Sequence, residues 1–179
     1  MRRVEGEALA PLGPGAWGLY VITDRQQTGG RSLEEIVTGA LAGGARAFQL
    51  REKDLPARDL CRLAERLLVR TRPAGALLLI NDRVDVALGV GADGVHLTRR
   101  SLPPAAVRAL LRPGMRLGVS CHTREEALEA EAGGADFVLL GPIFPTPAKA
   151  AYGPPAGPAL IRQVRPAVAC PVLAVGGIT

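Results

Sequence analysis

Residues 43–53, Gly43-Gly44-Ala45-Arg46-Ala47-Phe48-Gln49-Leu50-Arg51-Glu52-Lys53, run from a glycine-ended helix exit into a strand whose far end is charged. A helical pattern closes just before them at Ala42, and another starts near Ala57. That setting reads as a parallel strand between two helices, covered on both faces, where a continuous apolar run is the rule. Residues two apart share a face, so Gln49, Arg51 and Lys53 project together while Phe48 and Leu50 face the other way. Burying unpaired charge is costly. The strand therefore predicts an amide and two cations rising into a mouth built for an anionic ligand.

The same unit repeats along the chain. Short apolar runs at 19–23, 47–51, 77–81, 94–97, 116–120, 137–141 and 172–176 alternate with helical segments beginning near Ser32, Ala57, Arg83, Pro103, Thr123 and Ala159. Ser32 with Glu35 and Thr123 with Glu126 have capping-box spacing, and Pro103-Pro104 suits a helix start. Gly43-Gly44-Ala45, Gly91-Ala92-Asp93 and Gly133-Gly134-Ala135-Asp136 each stand just before a strand, the turn chemistry expected of a helix returning to a parallel sheet. No strand is followed by G-x-G-x-x-G or a P-loop, so a barrel is favoured over a doubly wound sheet. Such barrels have eight strands and about 250 residues, whereas this chain of 179 residues reaches Gly176-Gly177-Ile178-Thr179 at the end of its seventh. The expectation is an α/β protein: a (β/α)₈ TIM barrel over 18–179, its eighth strand and last helices absent from this chain, after a Pro/Gly-rich leader over 1–17. An open sheet exposes the edges of its first and last strands, which predicts either a homo-oligomer or aggregate formed through that gap or closure of the gap by the Pro/Gly-rich leader.

Composition narrows the function. With 47% apolar and 3% aromatic residues, the chain suits an Ala/Leu/Val-rich core. The net charge of +5 comes from arginines scattered over the helices, which predicts an acidic small molecule as partner and no nucleic acid. Cys61, Cys121 and Cys170 are odd in number and widely spaced, a pattern that fits neither a disulfide framework nor a zinc site and points to the cytoplasm. The longest apolar run, 167–178, contains Pro171 and is too short to span a bilayer, so no membrane partner is expected.

Polar residues gather at the carboxyl ends of the strands, the active-site face of a barrel. They are Gln49, Arg51 and Lys53, then Asn81-Asp82, His96, Ser120-Cys121-His122, Gly141-Pro142 and Gly176-Gly177. Asn81 or Asp82 could instead cap the helix at Arg83. His96 reads as a hydrogen-bonded structural histidine, and Cys121 as filler, since no dedicated base accompanies it. A long loop, 142–158, adds Thr146, Lys149 and Tyr152. Thr146, Lys149 and the backbone N–H groups of Gly176-Gly177 suit phosphate oxygens, and Asp82 is a carboxylate able to place Mg²⁺ on a diphosphate.

Six ordered motifs carry a resemblance: Gln49-Leu50-Arg51-Glu52-Lys53, Ile80-Asn81-Asp82-Arg83-Val84-Asp85, Gly91-Ala92-Asp93-Gly94-Val95-His96-Leu97, Gly118-Val119-Ser120-Cys121-His122-Thr123, Gly141-Pro142-Ile143-Phe144-Pro145-Thr146 with Lys149, and Gly176-Gly177-Ile178. From about Gly18 onward the chain resembles the thiamine phosphate synthase and thiazole tautomerase superfamily and, within it, the synthases. The resemblance implies an Mg²⁺-dependent transferase joining hydroxymethylpyrimidine diphosphate to hydroxyethylthiazole phosphate, giving thiamine monophosphate and pyrophosphate. It implies that Gln49, Arg51, Lys53, Asn81 and Lys149 surround the pyrimidine diphosphate and that Asp82 ligates Mg²⁺. Ser120 would contact the pyrimidine and the departing pyrophosphate, and Thr146 and Gly177 would hold the thiazole phosphate. In the family pyrophosphate leaves first and the thiazole nitrogen captures the pyrimidine carbocation, a course in which Arg51, Lys53, Ser120 and Lys149 would be the catalytic groups.

One departure bears on the metal: where synthases follow the fourth strand with Gly-Gln-x-Asp, this chain has Thr98-Arg99-Arg100-Ser101, leaving Ser101 as a weak ligand in place of a carboxylate. The alternatives are a thiazole tautomerase, with His122 as its acid–base group, and a non-catalytic binding protein for thiamine precursors.

Overall fold

The computed structural model describes residues 17–146 and 154–178. Seven parallel strands follow one another in chain order: β1 (Tyr20–Ile22), β2 (Ala47–Leu50), β3 (Leu77–Asn81), β4 (Gly94–Leu97), β5 (Arg116–Cys121), β6 (Phe137–Leu140) and β7 (Val172–Ala174). Between them lie α1 (Leu33–Ala42), α2 (Ala57–Thr71), α3 (Val84–Val90), α4 (Pro104–Leu110), α5 (Arg124–Ala132) and α6 (Gly157–Val164). The chain divides into two compact units, one ending at His96 and taking in Leu111–Arg116, the other made of Leu97–Leu110 with the residues from Leu117 onward.

In the first unit β1 pairs with β2 from Tyr20↔Ala47, β2 with β3 from Ala47↔Leu77, and β3 with β4 from Leu79↔Gly94. Every residue of β2, β3 and β4 is buried, as strands covered on both faces should be. Helix α2 supplies part of that cover. Leu60, Leu63, Ala64, Leu67, Leu68 and Thr71 recur at helical spacing and are its buried residues. The Ser32–Glu35 capping box forms in full at the head of α1. Glu34 on α1 pairs with Arg66 on α2, so the two helices are joined by charge as well as by packing. Trp17, the last residue of the expected leader, is buried and stacks on Tyr20 at 6.1 Å between ring centres; residues 1–16 lie outside the described residues.

In the second unit β5, β6 and β7 pair from Gly118↔Phe137 and Val138↔Val172. The second capping box is only half made. Thr123 accepts from the Glu126 backbone N–H, but the Glu126 carboxylate accepts from the His122 N–H and ring instead of the Thr123 backbone.

The Gly-Ala-Asp exits do more than turn the chain. Asp93 accepts the Leu78 N–H at 2.8 Å, and in the other unit Asp136 accepts the Leu117 N–H at 2.7 Å. Each carboxylate thus continues a ladder at the amino end of a neighbouring strand, away from the strand ends where ligands are expected. Asp93 is therefore a structural group.

Candidate active site

Expected alternation through Lys53 stops early, because β2 ends at Leu50 and Arg51–Lys53 lead through irregular chain into the turn at Lys53–Asp54. The cause is visible in β1. The last backbone bond of the pair runs from Thr23 N to Gln49 O, and at the next step the Thr23 hydroxyl replaces a carbonyl as acceptor for the Arg51 N–H at 3.0 Å. The strands part there. Gln49 stays inside, 2% exposed, while Arg51 is half-buried and Lys53 exposed.

Gln49 is oriented by a buried chain. Its Nε2 donates to the Tyr20 hydroxyl at 3.2 Å, and that hydroxyl lies 3.2 Å from His96 Nδ1. Burial, helped by the nearby Arg51 charge, holds His96 down at about 3, so the ring is neutral at neutral pH and accepts at Nδ1. Burial also raises the Tyr20 hydroxyl above its usual range, which keeps it a donor. With Nε2 committed, Gln49 has its carbonyl oxygen left for a ligand. His96 is the structural histidine that the sequence predicts.

This arrangement has a pH signature. The unfolded chain protonates His96 near 6.5 and the native chain only near 3, so between those values the unfolded state binds the extra proton. Stability should fall as pH falls through that window, by up to about 1.4 kcal/mol per pH unit. Urea unfolding at pH 7 and pH 5 should show this slope in the native protein and a flatter one in His96→Gln. Equal slopes would contradict the neutral, buried ring, because carboxylates with lowered pKa act only below about 4.5.

At the end of β3, Asn81 is 8% exposed and its Oδ1 is buried with no hydrogen-bond partner among the described residues. Such an orphan costs about 1–3 kcal/mol unless a ligand donor completes it. Asp82 follows in the left-handed region at φ 64°, exposed, its carboxylate without a hydrogen-bond partner among the described residues. Neither residue caps α3, whose N-cap is Arg83 with no side-chain bond. Holding a non-glycine residue there is costly and recurs at functional sites. The Arg51 guanidinium likewise has no hydrogen-bond or ion-pair partner among the described residues, a charge left for an anion.

Among the described residues no three His, Cys, Asp or Glu side chains form a metal cage. Mg²⁺ seldom needs one, being held by one or two carboxylates and the substrate's phosphates. Asp82 fits that role. Ser101 fits poorly, because its hydroxyl accepts the Thr98 N–H at 2.8 Å and lies 3.2 Å from the Thr98 hydroxyl, closing its own loop.

In the second unit Ser120 sits half-buried on β5, and Cys121 is buried with its thiol pushed up to about 12 by desolvation, so it offers no thiolate. His122 is exposed, its Nδ1 3.0 Å from Glu126. After β6 the chain doubles against the turn that follows β7, with Ile143 N donating to Val175 O at 2.9 Å and Phe144 N to Gly176 O at 2.8 Å. Gly176 and Gly177 have φ of 100° and 62°, and a Cβ on Gly177 would stand 2.5 Å from Pro145 O. The turn is thus seated against Phe144 and Pro145, which lead into Thr146, and its N–H groups are bare of hydrogen-bonded partners among the described residues, the arrangement of an anion-binding nest. Lys149 and Tyr152 lie outside the described residues. No described helix is long and apolar enough to cross a membrane.

Known proteins share this organisation. A thiamine-phosphate synthase of Roseiflexus castenholzii is 49% identical over 169 residues, covering 94% of this chain and 74% of the relative. One from Moorella thermoacetica is 48% identical over 162 residues, 90% of this chain and 77% of the relative. The solved structure of a thiamine phosphate pyrophosphorylase from Pyrococcus furiosus, 41% identical, superposes with a TM-score of 0.79 over 89% of this chain and 75% of that one. The family model for thiamine monophosphate synthase matches residues 19–179, nearly all of the sequence, and the chain therefore belongs to that family.

Proposed function

We propose that this chain is a thiamine phosphate synthase of the (β/α)₈ type, joining hydroxymethylpyrimidine diphosphate to hydroxyethylthiazole phosphate with release of pyrophosphate. The single observation that carries the reading is Arg51, a half-buried guanidinium without a hydrogen-bond or ion-pair partner among the described residues, at the end of the strand that fixes Gln49. In this reading the C–O bond to the diphosphate breaks with its electron pair going to pyrophosphate, and the thiazole nitrogen supplies the pair for the new C–N bond. No protein nucleophile is called for, in keeping with a thiol on Cys121 that stays protonated. Arg51 and Lys53, with Lys149, stabilise the charge that grows on the leaving group. Gln49 Oε1 and Asn81 Oδ1 are acceptors for the substrate's donors, Ser120 contacts the pyrimidine side, and Thr146 with the Gly177 turn takes the thiazole phosphate. Mg²⁺, held by Asp82, would neutralise diphosphate charge.

The exposed His122–Glu126 pair favours a second reading, a tautomerase using His122 as acid and base. Two variants separate the readings. For a synthase, Asp82→Ala should cut thiamine monophosphate formation by about a hundredfold or more, and His122→Ala by no more than about threefold. The reverse order, with tautomerisation of a carboxylated thiazole phosphate lost in His122→Ala, would support the tautomerase and overturn the synthase.

A further inference from the structure

The turn that carries Arg51 and Lys53 is held from behind by groups that touch no expected ligand. Glu52 lies between the two cations in sequence yet its side chain is 2% exposed and turned inward. The Thr23 hydroxyl donates to Glu52 Oε1 at 2.6 Å while accepting the Arg51 N–H at 3.0 Å. Arg25 closes the other side: its backbone N–H lies 3.2 Å from both Glu52 oxygens and its Nη1 is 3.1 Å from Oε2. The same guanidinium forks onto Asp54 at 2.6 and 2.5 Å, with both ends of the turn thereby tied to the segment after β1. Arg25 is drawn to these carboxylates, which raise its pKa and hold Asp54 down at about 2.

The arrangement solves a specific problem. A carboxylate beside two cations would ordinarily neutralise them, but Glu52 has its hydrogen bonds filled by Thr23 and Arg25, so Arg51 keeps an unsatisfied charge. We propose that Thr23 and Glu52 are positioning residues that fix the Arg51–Lys53 turn for a diphosphate, Thr23 by anchoring the Arg51 backbone and Glu52 by locking Thr23 to Arg25. The proposal rests on the reading of this turn as a diphosphate site, and inorganic pyrophosphate tests it without reference to turnover.

The experiment compares pyrophosphate affinity, by titration calorimetry with Mg²⁺, in the native chain, Thr23→Val and Thr23→Ser, beside kinetics for both substrates. Misplacing a group by about 1 Å can cost about a hundredfold, and a smaller displacement less. Thr23→Val, which keeps shape but loses the hydroxyl, should weaken pyrophosphate about tenfold and raise KM for the pyrimidine diphosphate alike, with KM for the thiazole phosphate within about twofold. Thr23→Ser should restore affinity to within about threefold of native. A role in folding alone would lower the melting temperature and leave affinity of the folded protein intact. Equal affinity in native and Thr23→Val protein, failure of serine to rescue, or parallel rises in both KM values would overturn the proposal. If Thr23→Val does not fold, Asp54→Ala decides: on the exposed side of the lock it should weaken pyrophosphate about threefold, and unchanged affinity overturns the proposal. Absent thiamine monophosphate synthesis with the predicted pyrophosphate pattern would refute the synthase reading alone.

Discussion

Arg51→Ala should lower kcat for thiamine monophosphate formation about a hundred- to thousandfold while leaving the melting temperature unchanged or slightly raised. Removing one preorganised donor from developing negative charge has a cost of that size. Stability should not suffer, since the guanidinium has no hydrogen bond or ion pair to lose among the described residues, and an uncompensated half-buried charge is a burden in the folded state. There is an internal control. Arg51 is one of the two causes that depress His96, so its removal should move the His96 titration upward. NMR titration of the ring can check this in the same sample. A variant that loses activity only in proportion to loss of folded protein would show Arg51 to be structural.

Gly177→Ala should strike the other substrate. An alanine there must hold φ of 62° and place its Cβ 2.5 Å from Pro145 O and 2.9 Å from Phe144 Cβ. The left-handed backbone alone costs about 1–2 kcal/mol, and the contact with backbone oxygen cannot be relieved by turning a side chain. The turn and the segment leading to Thr146 must separate. KM for the thiazole phosphate should rise about a hundredfold, with KM for the pyrimidine diphosphate within about twofold, measured by varying each substrate at saturation of the other. Equal rises in both would place the turn outside the thiazole phosphate site.

Much of this was legible in the residues because local signals agreed. All seven strands fall within a residue or two of their expected places, since a glycine exit precedes β2, β4 and β6 and caps such as Ser32 mark the helix starts. The placement of Gln49, Asn81 and Asp82 at or just past strand ends was also readable, as was the structural character of His96 and Cys121.

What escaped the sequence depends on contacts remote along the chain. Nothing in the pattern pairs Tyr20 with His96, 76 residues away, or Thr23 with Glu52. Glu52 sits in a motif where every neighbour points to a ligand, and only the structure shows it turned inward. Extending the alternation to Lys53 failed because β1 stops at Ile22 and a side chain takes over the ladder. For Asp93 and Asp136 a signal existed. The recurrence of Gly-Ala-Asp before a strand marks a carboxylate with a backbone task, distinct from the aspartate of a metal site.

The central claim is tested by incubating the 179-residue chain with hydroxymethylpyrimidine diphosphate, hydroxyethylthiazole phosphate and Mg²⁺ and following both products by chromatography. Thiamine monophosphate and pyrophosphate are expected in equal amounts, formed only when both substrates are present and about a hundred- to thousandfold more slowly with Arg51→Ala. Folded protein that binds both substrates yet forms neither product, or releases pyrophosphate without thiamine monophosphate, would contradict the claim.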